Sequence, residues 1–193
     1  MIYLDMNYKF LPRNYDRPIE FSESKRLDEA LLLQKLSTKN GYEQNVLDSF
    51  MLGVSKNEEL ASTKVRGYIG SGASAIVFET EDGDVLKLTR GNHFPMNRPH
   101  ESFDVPIKEQ GRAGNVRYYR EEKLAQHGLS EGFVLTMKDK IKQAGYRCSD
   151  LGDNDIHQIG LSQKGQLYLI DPECAKYKTI FHALFDKVKK YLK

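Results

Sequence analysis

Gly70-Ser71-Gly72-Ala73-Ser74-Ala75-Ile76-Val77-Phe78, followed closely by Val85-Leu86-Lys87-Leu88, is the stretch on which the fold turns. From Lys64 onward the apolar period drops from about 3.6 residues to about 2, so residues 65–69, 75–80 and 85–89 are expected to be three strands. Glu81-Asp82-Gly83-Asp84 joins the last two, and Asp-Gly between apolar runs is a strong hairpin signal. The glycines therefore connect strand to strand. A dinucleotide-binding loop leads into a helix instead, and a P-loop requires Gly-Lys-Ser/Thr, which this stretch lacks. Two glycines let the backbone approach a polyphosphate without a Cβ clash. Backbone N–H groups and the hydroxyls of Ser71 and Ser74 can then face phosphate oxygens. The plainer reading is a glycine-containing hairpin and nothing more.

Lys87 shifts that balance. Alternation puts Val85 and Lys87 on one strand face and Leu86 and Leu88 on the other. A lysine on an inward face needs an anionic partner, because an unpaired buried charge is costly. Phosphate would supply one. The competing reading is an edge-strand lysine whose head reaches solvent.

Working outward, the first twenty residues read as an irregular arm with Pro12 and Pro18. A helix follows, capped by Ser22 or Ser24, with Leu27, Leu31, Leu32 and Leu36 at helical spacing and Asn40-Gly41 at its end. Residues 43–52 form a second helix, with Val46, Phe50 and Met51 on one side, and 57–61 a short third. On the other side of the strands, 91–114 reads as a long loop with Pro95, Pro99 and Pro106. Residues 115–126 are expected to be helical, 133–137 a strand and 138–146 a short helix. Strands at 156–161 and 166–170 pair around Lys164-Gly165, and 178–192 form a last amphipathic helix. The fold class is α+β, with a helical extension at 1–63, an antiparallel-sheet lobe at 64–138 and a strongly reduced second lobe at 139–193 with the final helix.

These residues together resemble the protein kinases. That family has a G-x-G-x-x-G-x-V loop, a strand lysine, a helix glutamate, a catalytic-loop Asp with Asn five later, and a metal-binding Asp. Gly70, Gly72, Ala75 and Val77 match the loop, with Ala for the third glycine, and Lys87 matches the lysine. Val77 would then lie under the adenine. Glu121, with Glu122 as rival, matches the helix glutamate, so the resemblance implies a Lys87–Glu121 ion pair. Asp171, after Leu167-Tyr168-Leu169-Ile170, matches the metal-binding Asp, with Pro172-Glu173 in place of Phe-Gly. Asp153 aligns with the catalytic base, which accepts the substrate hydroxyl proton, and Gln158 takes the place of the metal-binding Asn. The resemblance thus implies ATP and Mg²⁺ as ligands, phosphoryl transfer to a protein or small-molecule hydroxyl, and a minimal bacterial or phage type of kinase.

The departures from the family are equally specific. Gly152 stands where an Arg usually precedes the base, and Asp155 near a cation that usually meets the transferred phosphate. Asp150 and Asp155 are rivals for base or metal ligand, beside His157. Only 22 residues follow Asp171, too few for an activation segment and a peptide-binding helical lobe. A pseudokinase or interaction module, with or without nucleotide, is the alternative. Its partner protein would dock on the N-terminal helices or the basic last helix.

The 193-residue chain has a net charge of +2, which singles out neither nucleic acid nor membrane. Charge is uneven, with a net of −2 over 1–63 and +5 over 175–193. A nucleic-acid role rests on that basic tail alone and is not expected; Arg112, Arg117 and Arg120 beside Tyr118 and Tyr119 could stack on a base, but more simply form a wet helix face. Cys148 and Cys174 fit no zinc spacing and are read as reduced thiols. The five histidines lack metal spacing. No leader and no membrane span is expected, and the location expected is cytoplasmic.

Overall fold

Strand β1 (Ile19–Arg26), helices α1 (Leu27–Ser37), α2 (Gly41–Val54) and α3 (Glu58–Ser62), and strands β2 (Lys64–Ser71), β3 (Ala75–Thr80) and β4 (Val85–Arg90) succeed one another in the computed structural model. After them come β5 (Ile107–Ala113), β6 (Val116–Glu121), α4 (Glu131–Gln143), β7 (Tyr146–Cys148), β8 (Ile159–Leu161), β9 (Leu167–Leu169) and β10 (Ala175–Tyr177). The structure describes residues 19–38, 41–71, 75–90 and 100–177. The arm at 1–18, the loop residues Gly72, Ala73 and Ser74, the stretch 91–99 and the expected last helix lie outside the described residues. The chain is mixed α and β, and it divides into two units.

The first unit is built on a six-stranded antiparallel sheet in the order β1-β2-β3-β4-β6-β5. Its three central strands are those expected from the period-2 pattern. The Asp82-Gly83 turn closes as predicted: Thr80 N–H donates to the Asp84 carbonyl at 2.9 Å, and Gly83 adopts φ +86°. One sheet face is apolar. Ile76, Phe78, Leu86, Leu88 and Val116 pack there with Leu27, Ala30 and Leu31 of α1 and Val46, Leu47, Phe50 and Val54 of α2. The helices preceding the sheet thus share a single core with it. Their packed side differs in part from the expected stripe: α1 buries Leu27, Ala30, Leu31 and Gln34, whereas Leu36 is 73% exposed and Leu32 44%. Neither Ser22 nor Ser24 caps this helix. Both lie in β1, and α1 begins after Arg26, whose N–H donates to the Glu29 carboxylate at 3.1 Å.

Residues 115–126 are not a helix. Val116–Glu121 forms β6, paired along its whole length with β4 and β5, and residues 107–113 of the expected loop form β5. The deciding feature is Gly114-Asn115, a two-residue hairpin turn with Gly114 at φ +61° and Ala113 opposite Val116.

The second unit packs α4 with two short antiparallel sheets, β7–β10 and β8–β9. Here 133–137, read as a strand, is helical. Val134, Met137 and Ile141 are fully buried at a 3.6-residue period, while Leu135 is 52% exposed. The β8–β9 hairpin turns at Gly165, φ +74°, as expected from Lys164-Gly165. Among the described residues, no helix is long and apolar enough to cross a membrane.

Candidate functional site

The polar face of the first unit's sheet gathers the phosphate-binding candidates. In register, Gly70 lies opposite Val77, Val77 opposite Lys87, and Lys87 opposite Tyr119. Glu121 is opposite Val85, one diagonal step from Lys87 and on the same face. Lys87 Nζ is 3.4 Å from Glu121 Oε2, and both side chains are nearly buried, at 11% and 5% exposure. The expected ion pair forms, but between neighbouring strands rather than from strand to helix. Burial raises the Tyr119 phenol, while Arg117 pulls it down.

Two further features of this face were not foreseen. Glu79, two residues beyond Val77, is 2% exposed and held by Arg66 and by Lys123 at 2.7 Å. Thr89, two residues beyond Lys87, is 3% exposed, and its hydroxyl has no hydrogen-bond partner among the described residues. The signal for both was available, since each sits on the Lys87 face by simple alternation. Arg120 and Arg112, which with Arg117 could have stacked on a base but more simply suited a wet helix face, lie on strands and are engaged within the sheet: Arg120 Nε donates to Asp84 Oδ2 at 3.0 Å and Arg112 Nε to the Gly114 carbonyl at 2.7 Å.

The second unit carries the acidic candidates. The Gln158 carbonyl accepts from Ile170 N–H at 2.8 Å, which sets Gln158 beside the residue preceding Asp171 at one end of the β8–β9 hairpin. Asp171 Oδ1 accepts from Glu173 N–H at 3.0 Å and caps the turn Pro172–Cys174. One carboxylate and one amide oxygen are hard donors of the kind Mg²⁺ accepts when phosphate completes its shell. Among the described residues, no group of three or more His, Cys, Asp or Glu is placed to hold a metal. Asp153 is 72% exposed on its side chain, and its Oδ1 meets Lys138 Nζ of α4 at 2.5 Å. That ammonium holds the Asp153 carboxyl below its ordinary range.

Its rivals are committed elsewhere. Asp155 Oδ2 accepts from Gly152 N–H at 2.5 Å, within its own loop. Asp150, in the left-handed region at φ +57°, pairs with Lys176 of β10 at 3.0 Å and accepts from the Ser149 hydroxyl. Lys176 holds the Asp150 carboxyl low. The His157 carbonyl accepts from Gln126. Cys174 is buried, and burial pushes its thiol far up, which disfavours the thiolate that a nucleophile needs. No protein-family model matches the chain, and no curated protein matches it.

Proposed function

We propose that this chain is a minimal ATP- and Mg²⁺-dependent phosphotransferase acting on a protein or small-molecule hydroxyl. The observation that carries the reading is the buried Lys87–Glu121 pair on the face of Val77, in the third strand counted from the one that enters the glycine loop. A strand lysine braced by a carboxylate beside a glycine loop is the phosphate clamp of the kinase-like pattern. The orphan Thr89 hydroxyl on the same face supports a ligand rich in acceptor oxygens. In this reading Gly70, Ser71, Gly72 and Ser74 cradle the phosphates and Val77 underlies the base. Lys87, set by Glu121, binds phosphate oxygens. Asp171 and Gln158 would hold Mg²⁺, which when bound neutralises phosphate charge. Asp153 accepts the proton of the attacking hydroxyl.

A thermal shift with ATP and Mg²⁺ tests it. Ligand at 100 times its dissociation constant stabilises by roughly 2.7 kcal/mol, a rise of a few degrees for a chain of this size. The rise is expected in the wild type and is expected to disappear in Lys87→Ala and Asp171→Ala, each compared with its own ligand-free midpoint. A wild type that does not move rejects nucleotide binding. Phosphate transfer from labelled ATP then tests the chemistry.

A second reading, a partner-binding pseudokinase, has its own support. Asp155 is tied to its own loop where a phosphate-contacting cation would be useful. Leu33, Leu36 and Leu52 are 43%, 73% and 61% exposed on α1 and α2, large apolar side chains open to a protein partner. ATP binding with no transfer to any acceptor would favour this reading.

A further inference from the structure

Between Arg147 and Lys164 the chain contains no Lys or Arg, so the loop holding Asp153 supplies no fixed positive charge. A carboxylate base facing a phosphoryl group needs one, because two anions must otherwise approach each other. We infer, resting on the transferase reading, that Lys138 of α4 supplies this charge and acts as the positioning residue for Asp153.

The helix places the lysine where an apolar residue belongs. Val134, Lys138 and Ile141 are spaced i, i+4, i+7, so Lys138 shares the face that α4 turns to its core, next to Met137. Its side chain is 15% exposed, whereas that of Asp153 is 72% exposed. The buried stem delivers the ammonium 2.5 Å from Asp153 Oδ1 at the surface. An ordinary surface ion pair joins two mobile side chains. Here one partner is anchored by a helix core and the other is left open to an acceptor. Lys142, also on α4, adds a weaker positive field at Asp153, and Asp155 is turned to Gly152 N–H.

The pairing through Oδ1 fixes the carboxylate and keeps it ionised, leaving Oδ2 for the acceptor. In the step, the acceptor oxygen bonds to the γ-phosphorus of ATP and the bond from phosphorus to the ADP oxygen breaks. ADP leaves with that electron pair, and the acceptor proton passes to Asp153.

The test uses the full chain with ATP and Mg²⁺, with water as acceptor and released phosphate as the readout. Lys138→Met is expected to lower kcat tenfold or more while leaving the KM for ATP unchanged. Lys138→Arg is expected to restore most of the rate. The Met variant's melting point is expected not to fall, because Met suits the α4 stripe. In an Asp153→Asn background Lys138→Met is expected to have no further effect. Wild-type kcat in Lys138→Met, or an undiminished effect in the Asp153→Asn background, overturns the inference and leaves the transferase reading standing. If Lys138→Met does not fold, Lys138→Gln decides by the same criteria. A wild type that binds ATP but transfers phosphate neither to water nor to a protein or small-molecule hydroxyl overturns both.

Discussion

Lys87 and Glu121 carry the most at the level of single residues. Each is charged and nearly buried, and removing one partner of such a pair takes a charge-paired contact away from the other at a site that water reaches poorly. Glu121→Gln is therefore expected to destabilise the chain by roughly 3 kcal/mol, read as a fall in urea midpoint. The double variant Lys87→Met/Glu121→Leu is expected to lose clearly less than the sum of its single changes. Strict additivity would show that the two groups do not depend on each other. A second residue-level expectation concerns acid. Arg26 holds Asp28 below its ordinary value of 3.8, chiefly through its side-chain hydrogen bonds, and Lys176 does the same for Asp150. A carboxyl with a lowered folded value stabilises above its unfolded value and loses that contribution as pH falls through the folded one. The urea midpoint is thus expected to fall from about pH 4 downward. Lys176→Met is expected to start lower at pH 5 and to fall less. Because the Asp28 side chain is 43% exposed and that of Asp150 73%, solvent screens both pairs and the effect is modest. Parallel curves for wild type and Lys176→Met would count against the Asp150 pairing.

At the level of elements, glycine contacts tell which helix is pressed against its sheet. A Cβ on Gly53 of α2 would run into the Val116 side chain of β6 and approach the Ala113 carbonyl at 3.0 Å. Gly53→Ala is expected to cost about 1–2 kcal/mol, the packing strain outweighing the gain of about 1 kcal/mol in helix propensity. Gly132 of α4 is the control: its Cβ would meet only Ser130 Oγ at 3.6 Å, and Gly132→Ala is expected to stabilise by up to about 1 kcal/mol. Calorimetric melting of the two variants checks both signs. Elements were also where sequence reading succeeded unevenly. The strands β2, β3 and β4 were legible because Asp82-Gly83 and the alternation around Lys87 agree. Helix α4 was misread because Val134-Leu135-Met137 is apolar enough for a strand, and only burial shows that Leu135 faces out. Strand β6 was misread because Tyr and Arg suit either state, and the Gly114-Asn115 turn was absorbed into a loop.

At the level of the whole molecule, the described residues build two hydrophobic cores, one of helices against the six-stranded sheet and one around α4. The sequence alone determined the α+β class, the glycine-bearing strand pair, the lysine face of β4, and the acidic run around Asp153, because alternation and turn chemistry are local. It also pointed to the Lys87–Glu121 pair, although with Glu121 on the wrong kind of element. Only the tertiary structure decided that Glu121 reaches Lys87 from an adjacent strand, that Asp150 is held by Lys176, and that Lys138 comes to Asp153. Those pairings join residues distant in the chain. Their partners are chosen by register and helix packing, which no local pattern encodes.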